Sequence, residues 1–465
     1  MRRALSLFLL LHLAGSAMAQ TAPAAAADVR VMGITLSGNR TTKARIILRE
    51  MVVNEGDTLA HEGLYQRLER SRQNLMNTGL FNTVSVLPLY LDQRHVMVEV
   101  TVNERWYLWP AIIFDLADPN FNTWWLTRDL DRVNYGLYLY RYNLRGRNET
   151  GYIKAQFGYT REFAFRYKVP NLTRDQRWGI SAGMSYEEQS EITTGTVDNL
   201  RNLVRYPFGS NRDQWNADVE VTLRRNHDIR HIARLRYTQA EVRDTIIHSA
   251  VDYFEGPATA TRFLALGYSF VWDRRDSRAF PRRGHFQELR IDRLGLGIMD
   301  LSAPGITTMY ATTKRWVHLH AKWTLGLSAR GKYTFGMPPY FVQEGLGYGN
   351  FVRGYEYRII DGEHFALGKA NLILQLVKPR TYRVEHIPIE AFRTFYFALY
   401  LNLYSDLGRV WDSRYAALNP LSNRWINGNG LGLDLVTSYD QVLRAEYSVN
   451  SQGDHGFFLH FTQPF

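Results

Sequence analysis

Apolar and polar residues alternate with a period of two in many stretches of the chain between residue 104 and residue 465. The alternation is cleanest in three segments, which are ADVEVTL at 217–223, KWTLGLSARGK at 322–332 and FALYLNLYSD at 397–406. A period of two predicts β-strands with one apolar and one polar face. Because the same region offers no convincing amphipathic helix, we expect an all-β unit.

The size and aromatic content of this region favour a membrane barrel over a soluble sandwich, whose strands also alternate. A membrane-spanning strand needs about 9–11 residues and a connection, so on the order of 16 strands fit into residues 104–465. The chain contains 28 Tyr, 24 Phe and 11 Trp residues, and barrels carry aromatic girdles at both membrane interfaces. We therefore predict an antiparallel transmembrane β-barrel with lipid outside and a wet lumen.

Residues 28–103 follow a different pattern, that of a compact α+β domain in the order β-α-α-β-β. The predicted elements are a strand at Val29–Leu36, a helix from a Thr41 or Thr42 cap to Met51, a turn at Gly56-Asp57, a helix at Glu62–Asn77 ended by Gly79, and strands at Asn82–Tyr90 and Val96–Val102. This domain stands in front of the predicted barrel.

The first residues have the pattern of a secretory signal peptide. Arg2 and Arg3 precede an apolar stretch at 4–15, and Ala17-Met18-Ala19 supplies the small-x-small cleavage pattern. The alternative is a membrane anchor, but the stretch is too short to cross a bilayer as a helix. We predict a signal peptide at 1–19, cleavage before Gln20 and a flexible leader at 20–27.

Composition excludes several function classes. The absence of cysteine removes disulfides and thiolate metal sites, and the formal net charge of +11 is too scattered for a nucleic-acid patch. No nucleophile elbow, phosphate loop or zinc-protease helix occurs. Two histidine pairs lack a third ligand, namely His227 with His231 and His318 with His320. We expect no enzyme activity, no catalytic residue, no cofactor and no metal.

Five local sequences, taken in order, resemble the superfamily of outer-membrane barrels that holds BamA, TamA and the two-partner secretion translocators. The first is NLMNTGLFNTVSV at 74–86, which is similar to the stretch between helix and strand in a POTRA domain. The second is a mid-barrel motif formed by Asp273, Arg275, Asp276, Pro281 and Gly284. The third is a loop motif formed by Val352, Arg353, Gly354 and Tyr355. The fourth is Tyr404-Ser405-Asp406-Leu407-Gly408, and the fifth is a C-terminal β-signal formed by Phe457, Leu459, Phe461 and Phe465.

The resemblance implies a periplasmic POTRA domain at 28–103 and a sixteen-stranded barrel at 104–465. The chain departs from the family in three places. It carries one POTRA domain, Gln375 stands where the family often has a carboxylate, and Gln463 replaces a more usual apolar residue. The second departure weakens the expectation that two carboxylates hold Arg353.

The resemblance also implies that the loop carrying Arg353 folds back into the barrel. Because alternate residues of a strand share a face, Asp406 and Gln375 are expected to point into the lumen. Arg353 is then expected to contact Asp406. Gln375 would be a hydrogen-bonding neighbour of the guanidinium, and the Tyr404 ring would lie against it. Gly354 would allow close backbone approach to the wall. The alternative is a solvated loop arginine. A second expected site is the strand around 82–87, where a client strand could pair by β-augmentation; an ordinary edge is the alternative.

The function implied is the assembly or translocation of polypeptides at the outer membrane of a Gram-negative bacterium. Expected partners are outer-membrane lipid, unfolded or nascent barrel or secreted polypeptides, and periplasmic chaperones or accessory proteins. Two alternatives remain open. One is a two-partner-type translocator for a specific exported protein, and the other is a pore or structural barrel without a protein client.

Overall fold

A computed structural model of the protein describes residues 28–116, 132–206, 209–244, 246 and 252–462. The predicted signal peptide at 1–19, the leader at 20–27 and the residues Gln463 and Phe465 lie outside these ranges. Within them, no helix combines the length and the apolar character needed to cross a membrane.

The N-terminal domain is a four-stranded sheet covered by two helices. Its elements are β1 (Val29–Ser37), α1 (Ala44–Leu48), β2 (Thr58–Leu59), α2 (His61–Met76), β3 (Phe81–Tyr90) and β4 (His95–Glu104). The strand order is β2-β1-β4-β3, with β1 and β4 parallel. Leu64, Leu68 and Leu75 of α2 pack with the alternate valines of β4 in a closed core, so this small domain has a hydrophobic centre of its own.

Three details of this domain differ from the sequence prediction, and the first is that α1 ends at Leu48 and does not continue to Met51. The side-chain cap of α1 by Thr41 or Thr42 is wrong, because Lys43 occupies the N-cap without a side-chain hydrogen bond. The backbone N–H groups of Thr41 and Thr42 instead donate to the Glu104 carboxylate, and the Thr42 hydroxyl lies 3.2 Å from Tyr107 Oη. The short strand β2 was also not predicted, so the order is β-α-β-α-β-β.

The rest of the described chain forms one sixteen-stranded antiparallel sheet and a separate hairpin, as the barrel prediction required. The sheet strands are β5 (Leu108–Leu116), β6 (Val133–Leu144), β7 (Glu149–Gly158), β8 (Thr160–Val169), β9 (Trp178–Gln189), β12 (Arg212–Arg224), β13 (Ile229–Val242), β14 (Ala260–Asp273), β15 (Gly284–Leu294), β16 (Thr307–His320), β17 (Trp323–Phe335), β18 (His364–Arg383), β19 (Thr394–Trp411), β20 (Trp425–Thr437), β21 (Val442–Asn450) and β22 (His455–Thr462). The hairpin between β9 and β12 consists of β10 (Glu191–Val197) and β11 (Leu200–Arg205). Short 3-10 helices lie at Tyr340–Val342, Glu390–Phe392, Ala416–Leu418 and Ser438–Asp440.

The predicted alternation sets which face of each strand meets lipid. On β19, Leu401, Leu403 and Leu407 are exposed on the outer face, whereas Tyr404 and Asp406 are buried inside. A row of exposed apolar side chains is costly in water and favourable in hydrocarbon. The sheet is therefore a transmembrane barrel whose polar residues line the lumen.

The first and last strands stand at the two ends of the sheet. β5 pairs with β6, and β22 pairs with β21. Across the described residues, no backbone ladder joins β5 to β22. These two strands are the edges of the sheet, and we call the line between them the seam.

The N-terminal domain docks on the nearby turns between barrel strands through partly buried polar contacts. Arg224, at the end of β12, contacts both carboxylate oxygens of Glu50 at 2.6 and 2.7 Å. Burial acts to raise the pKa of the Glu50 carboxyl, but the Arg224 charge and its hydrogen bond outweigh burial and hold the pKa below its usual value. Arg70 pairs with Asp228 at 2.6 Å in the same interface, so charge pairing orients the domain.

Candidate functional site: the lumen loop and the barrel wall

A long segment between β17 and β18, residues 336–363, folds back into the barrel, and we call it the lumen loop. Leu346 and Ile360 exchange backbone hydrogen bonds of 2.9 and 2.7 Å, which close the loop on itself. Val352 and Tyr355 are buried against wall residues that include Val410. Apolar packing therefore holds the loop against β19 before any charged contact is considered.

Arg353 of the lumen loop contacts Asp406, as the sequence led us to expect. Its Nε and Nη2 donate to the Asp406 carboxylate at 2.9 and 2.5 Å, and its backbone N–H donates at 3.1 Å. Its guanidinium carbon lies 3.6 Å from the centre of the Tyr404 ring. Arg353 is 3% exposed and Asp406 is fully buried. A bidentate pair shielded from water is among the stronger contacts that a charged side chain makes.

The second carboxylate beside Arg353 comes from a strand that the sequence did not indicate. Glu446 of β21 accepts a hydrogen bond from Arg353 Nη1 at 3.2 Å. Asn371 of β18 accepts one from Nη2 at 2.9 Å, and Lys369 Nζ lies 3.3 Å from Asp406. The guanidinium thus sits in a cradle of two carboxylates and an amide. We call Arg353 and these wall residues the lock.

The expected role of Gln375 beside Arg353 is wrong. Gln375 does point into the lumen, but its amide oxygen accepts a hydrogen bond from Arg282 Nη1 at 2.9 Å. Counting alternate residues shows which face of a strand a side chain takes, but not how far along the barrel wall it lies. Asn371 shares the face of Gln375 four residues away, which is about 13 Å along a strand.

Two glycines let the loop approach the wall this closely. Gly354 has φ +89°, a conformation that L side chains rarely adopt, and Asn450 Nδ2 donates to its carbonyl at 2.9 Å. On the wall, a Cβ at Gly428 of β20 would lie 1.7 Å from the Arg353 carbonyl oxygen. The sequence indicated Gly354 as the point of close approach, and the structure places the tightest approach at Gly428.

The mid-barrel motif forms the turn between β14 and β15 at the periplasmic end. Arg275 makes a bidentate contact with Asp273 at 2.7 and 2.8 Å. Asp276 Oδ1 accepts the backbone N–H of Arg282 at 3.0 Å. Pro281 lies in this turn, and Gly284 begins β15. The turn contacts the C-terminal end of α2, where Asn77 Oδ1 accepts a hydrogen bond from the backbone N–H of Arg278 at 2.9 Å.

The described part of the C-terminal β-signal lies on β22 with its apolar side chains outward. Phe457, Leu459 and Phe461 are all exposed on the lipid face. Phe458 and His460 take the opposite face of the strand, and Phe458 is buried. The fourth residue of the signal, Phe465, is outside the described ranges.

The edge of the N-terminal sheet, which the sequence indicated as a client site, is β3. This strand pairs with β4 on one side and ends the sheet on the other. The start of β3 lies close to the barrel, because Asn82 Nδ2 donates a hydrogen bond to the Ala391 carbonyl at 2.9 Å. Leu87 and Leu89, farther along β3, are exposed.

Comparison with known proteins fixes the family. The Omp85 superfamily domain matches residues 143–462, which is more than half of the chain. The chain belongs to the Omp85 superfamily. The POTRA family, described as a surface antigen variable number repeat, matches residues 29–105. Members are outer-membrane barrels of Gram-negative bacteria with periplasmic POTRA domains. This confirms the predicted cellular location, with the barrel in the outer membrane and the POTRA domain in the periplasm.

Individual relatives agree with this assignment. The chain is 36% identical over 78 residues to the outer membrane protein assembly factor BamA of Neorickettsia risticii (strain Illinois), a match that covers 16% of the chain and 10% of the relative. The solved structure of Haemophilus ducreyi BamA lacking POTRA domains 1–3 is similar with a TM-score of 0.53 at 14% identity, covering 93% of this chain and 84% of that one. CdiB from Escherichia coli is similar with a TM-score of 0.54 at 12% identity, covering 93% and 76%. The chain spans about a tenth of the length of the curated relative that it matches.

Proposed function

We propose that this Omp85 protein assembles or translocates polypeptides at the outer membrane by pairing with their β-strands. A client strand first adds to β3 of the POTRA domain and then to the β5 or β22 edge at the seam. An extended strand entering hydrocarbon must satisfy its backbone N–H and C=O groups, and a free sheet edge supplies partners for them. Periplasmic chaperones or accessory proteins would deliver the client unfolded.

The observation that carries the proposal is the lock. Apolar packing and the buried Arg353–Asp406 pair hold the lumen loop inside the barrel. A client that passes through the lumen must displace this loop, whereas a client that enters at the seam leaves it in place. The cost of separating a buried pair is several kcal/mol, so the geometry favours the seam.

The POTRA edge supports the same route. Among the described residues, none pairs with the outer backbone edge of β3, and the exposed apolar side chains of Leu87 and Leu89 lie beside that edge. β-Augmentation takes affinity from the main-chain ladder and specificity from alternate side chains. A short apolar strand is thus the client feature that this edge would accept.

The test is depletion of the protein in its native host, followed by a census of outer-membrane proteins. We expect many barrel proteins to fall together. Loss of one secreted protein alone would favour the two-partner-type translocator, and an unchanged census would favour a pore or structural barrel. Neither of these two outcomes agrees with the assembly of barrel proteins by strand pairing at the seam.

A disulfide tether separates the seam from the lumen as the client route. The chain has no cysteine, so a pair introduced at Val352 and Gly408 would be the sole disulfide; a Cβ at 408 would lie 2.5 Å from Val352 Cγ2. Oxidised V352C/G408C protein should still support barrel assembly, because its loop need not leave. The V352C and G408C single variants are the controls. If oxidation blocks function in the pair and not in the singles, the client passes through the lumen.

A further inference from the structure

Three side chains from three different elements converge beside the lock. They are Glu356 of the lumen loop, Glu446 of β21 and His460 of β22, and their candidate ligand atoms all lie within 4.8 Å of one another. His460 Nε2 is 3.4 Å from Glu446 Oε2 and 3.9 Å from Glu356 Oε1. We call these three residues the triad.

In each carboxylate of the triad, one oxygen accepts a hydrogen bond from the lumen loop and the other faces the imidazole. Glu356 Oε2 accepts the backbone N–H of Gly354 at 2.8 Å, while Glu356 Oε1 is buried without a hydrogen-bond partner. Glu446 Oε1 receives Arg353 Nη1, and Glu446 Oε2 faces His460. The Glu356 side chain is 9% exposed. A buried carboxylate oxygen without a partner carries a desolvation cost, which a ligand between the three groups would relieve.

The charges around the triad favour a cation in that position. The surrounding ion-pair network contains four carboxylates and three cations, which are Glu356, Glu446, Asp406 and Asp434 against Arg353, Lys369 and Arg444. With a neutral imidazole and all four carboxylates ionised, one negative charge remains uncompensated. Buried charges in proteins are normally paired or coordinate a metal.

We propose that Glu356, Glu446 and His460 bind a divalent transition-metal ion, for which Zn²⁺ is the probe. One imidazole nitrogen and two carboxylate oxygens suit Zn²⁺, Cu²⁺ or Ni²⁺ better than Mg²⁺ or Ca²⁺, which prefer oxygen ligands alone. Bonds of about 2.0–2.2 Å place tetrahedral ligands roughly 3.3 Å apart. The separations of 3.4 and 3.9 Å are close to this value. A water molecule would complete the coordination.

The position of the triad gives the ion a structural consequence. Glu356 belongs to the loop and His460 to the last strand, so the ion links the lock directly to the β22 edge of the seam. Phe351 of the loop stacks on the His460 ring at 5.6 Å and orients it. Metal binding would thus stabilise β22 against separation from the loop. This inference concerns binding alone and does not depend on the client route.

The experiment is a calorimetric titration of Zn²⁺ into the tag-free full-length protein, stripped with a chelator and held in detergent micelles. We expect one saturable site that an excess of Mg²⁺ leaves unchanged. Co²⁺ at the same site should give a visible absorption band. In E356Q and in H460Q the affinity should fall at least about tenfold, because loss of even an outer-shell partner costs a metal site 10–100-fold.

Matched controls come from the same chain. H455Q changes an exposed imidazole at the other end of β22, and E385Q changes an exposed carboxylate outside the barrel; both should bind Zn²⁺ like the unmodified protein. Because a substitution in β22 can impair folding, E356Q decides the outcome. Absence of saturable Zn²⁺ binding, or equal binding by E356Q and the two controls, overturns the proposal.

Discussion

Arg353 Nη2 lies 2.5 Å from Asp406 Oδ1, and neither side chain is exposed beyond 4%. An exposed ion pair contributes only about 0–1 kcal/mol. When one partner of a buried pair is removed, the other stays buried without compensation, and the loss is about 3–5 kcal/mol. The position of this pair under the loop therefore makes it a strong point of attachment.

The first prediction concerns this attachment. On a gel, an unboiled folded barrel migrates differently from the boiled, unfolded protein, and R353A should lose the folded band at a lower temperature. The expected loss in free energy of unfolding is about 3–5 kcal/mol. D406N should have a milder effect, because an amide oxygen still accepts one hydrogen bond. The double variant should be little worse than R353A, since coupled partners are not additive. R358A, in the same loop but more exposed, is the control; equal losses in R358A and R353A would contradict the lock.

The second prediction uses the wall and leaves every lock side chain in place. G428A introduces a Cβ at 1.7 Å from the Arg353 carbonyl oxygen, so the loop must move away. We expect a loss of about 1–3 kcal/mol, as for other overpacked sites, and faster protease cleavage of the lumen loop. G368A is the control, because its new Cβ would lie 3.9 Å from the nearest atom, the Leu407 carbonyl oxygen. Unchanged cleavage in G428A would show that the loop does not rest on β20.

The third prediction is a pH dependence at the domain interface. The pKa of Glu50 in the folded protein is below its ordinary value of 4.5. Stability from the Glu50–Arg224 pair is therefore fully present above that value and is lost as the pH falls through the folded pKa. Thermal unfolding between pH 7 and pH 3 should show a steeper acid loss in the unmodified protein than in E50Q. Parallel curves for the two proteins would mean that Glu50 does not orient the POTRA domain.

The fourth prediction concerns where the POTRA domain ends. The sequence indicated residue 103, a boundary that stays a prediction. Glu104 accepts two backbone N–H groups of the domain, and the Tyr107 hydroxyl donates to the Leu80 carbonyl at 3.0 Å. A fragment of residues 28–107 should therefore be more stable than one of residues 28–103, by about 2–4 kcal/mol in urea unfolding. Equal midpoints would place the boundary at 103.

The sequence was sufficient for the fold because the barrel has one dominant pattern. A period of two, repeated over strands long enough to span a membrane, fixes the lipid and lumen faces of β19 and β22. Parity also turned Asp406 inward, which located half of the lock. These features depend on local order along the chain, so a sequence shows them directly.

The rest of the lock depends on the register between neighbouring strands. The alternation of residues along one strand does not show that register. Glu446 and Asn371 reach Arg353 because β18 and β21 have a particular register relative to β19. Polar residues at every second position from Arg444 to Asn450 were a signal for the lumen face of β21. That signal does not show where Glu446 lies along the barrel wall relative to Arg353. For the same reason, Gln375 was wrongly predicted to lie beside Arg353.

The central claim is that clients pair at the seam, and site-specific photo-crosslinking in the native host tests it most directly. A photoreactive residue replaces Ile112 on the β5 edge, which is 80% exposed, and separately replaces Leu289 on β15 in the middle of the sheet. We predict that position 112 captures precursors of outer-membrane barrel proteins and that position 289 does not. Equal capture at both positions, or capture at neither, would contradict the account.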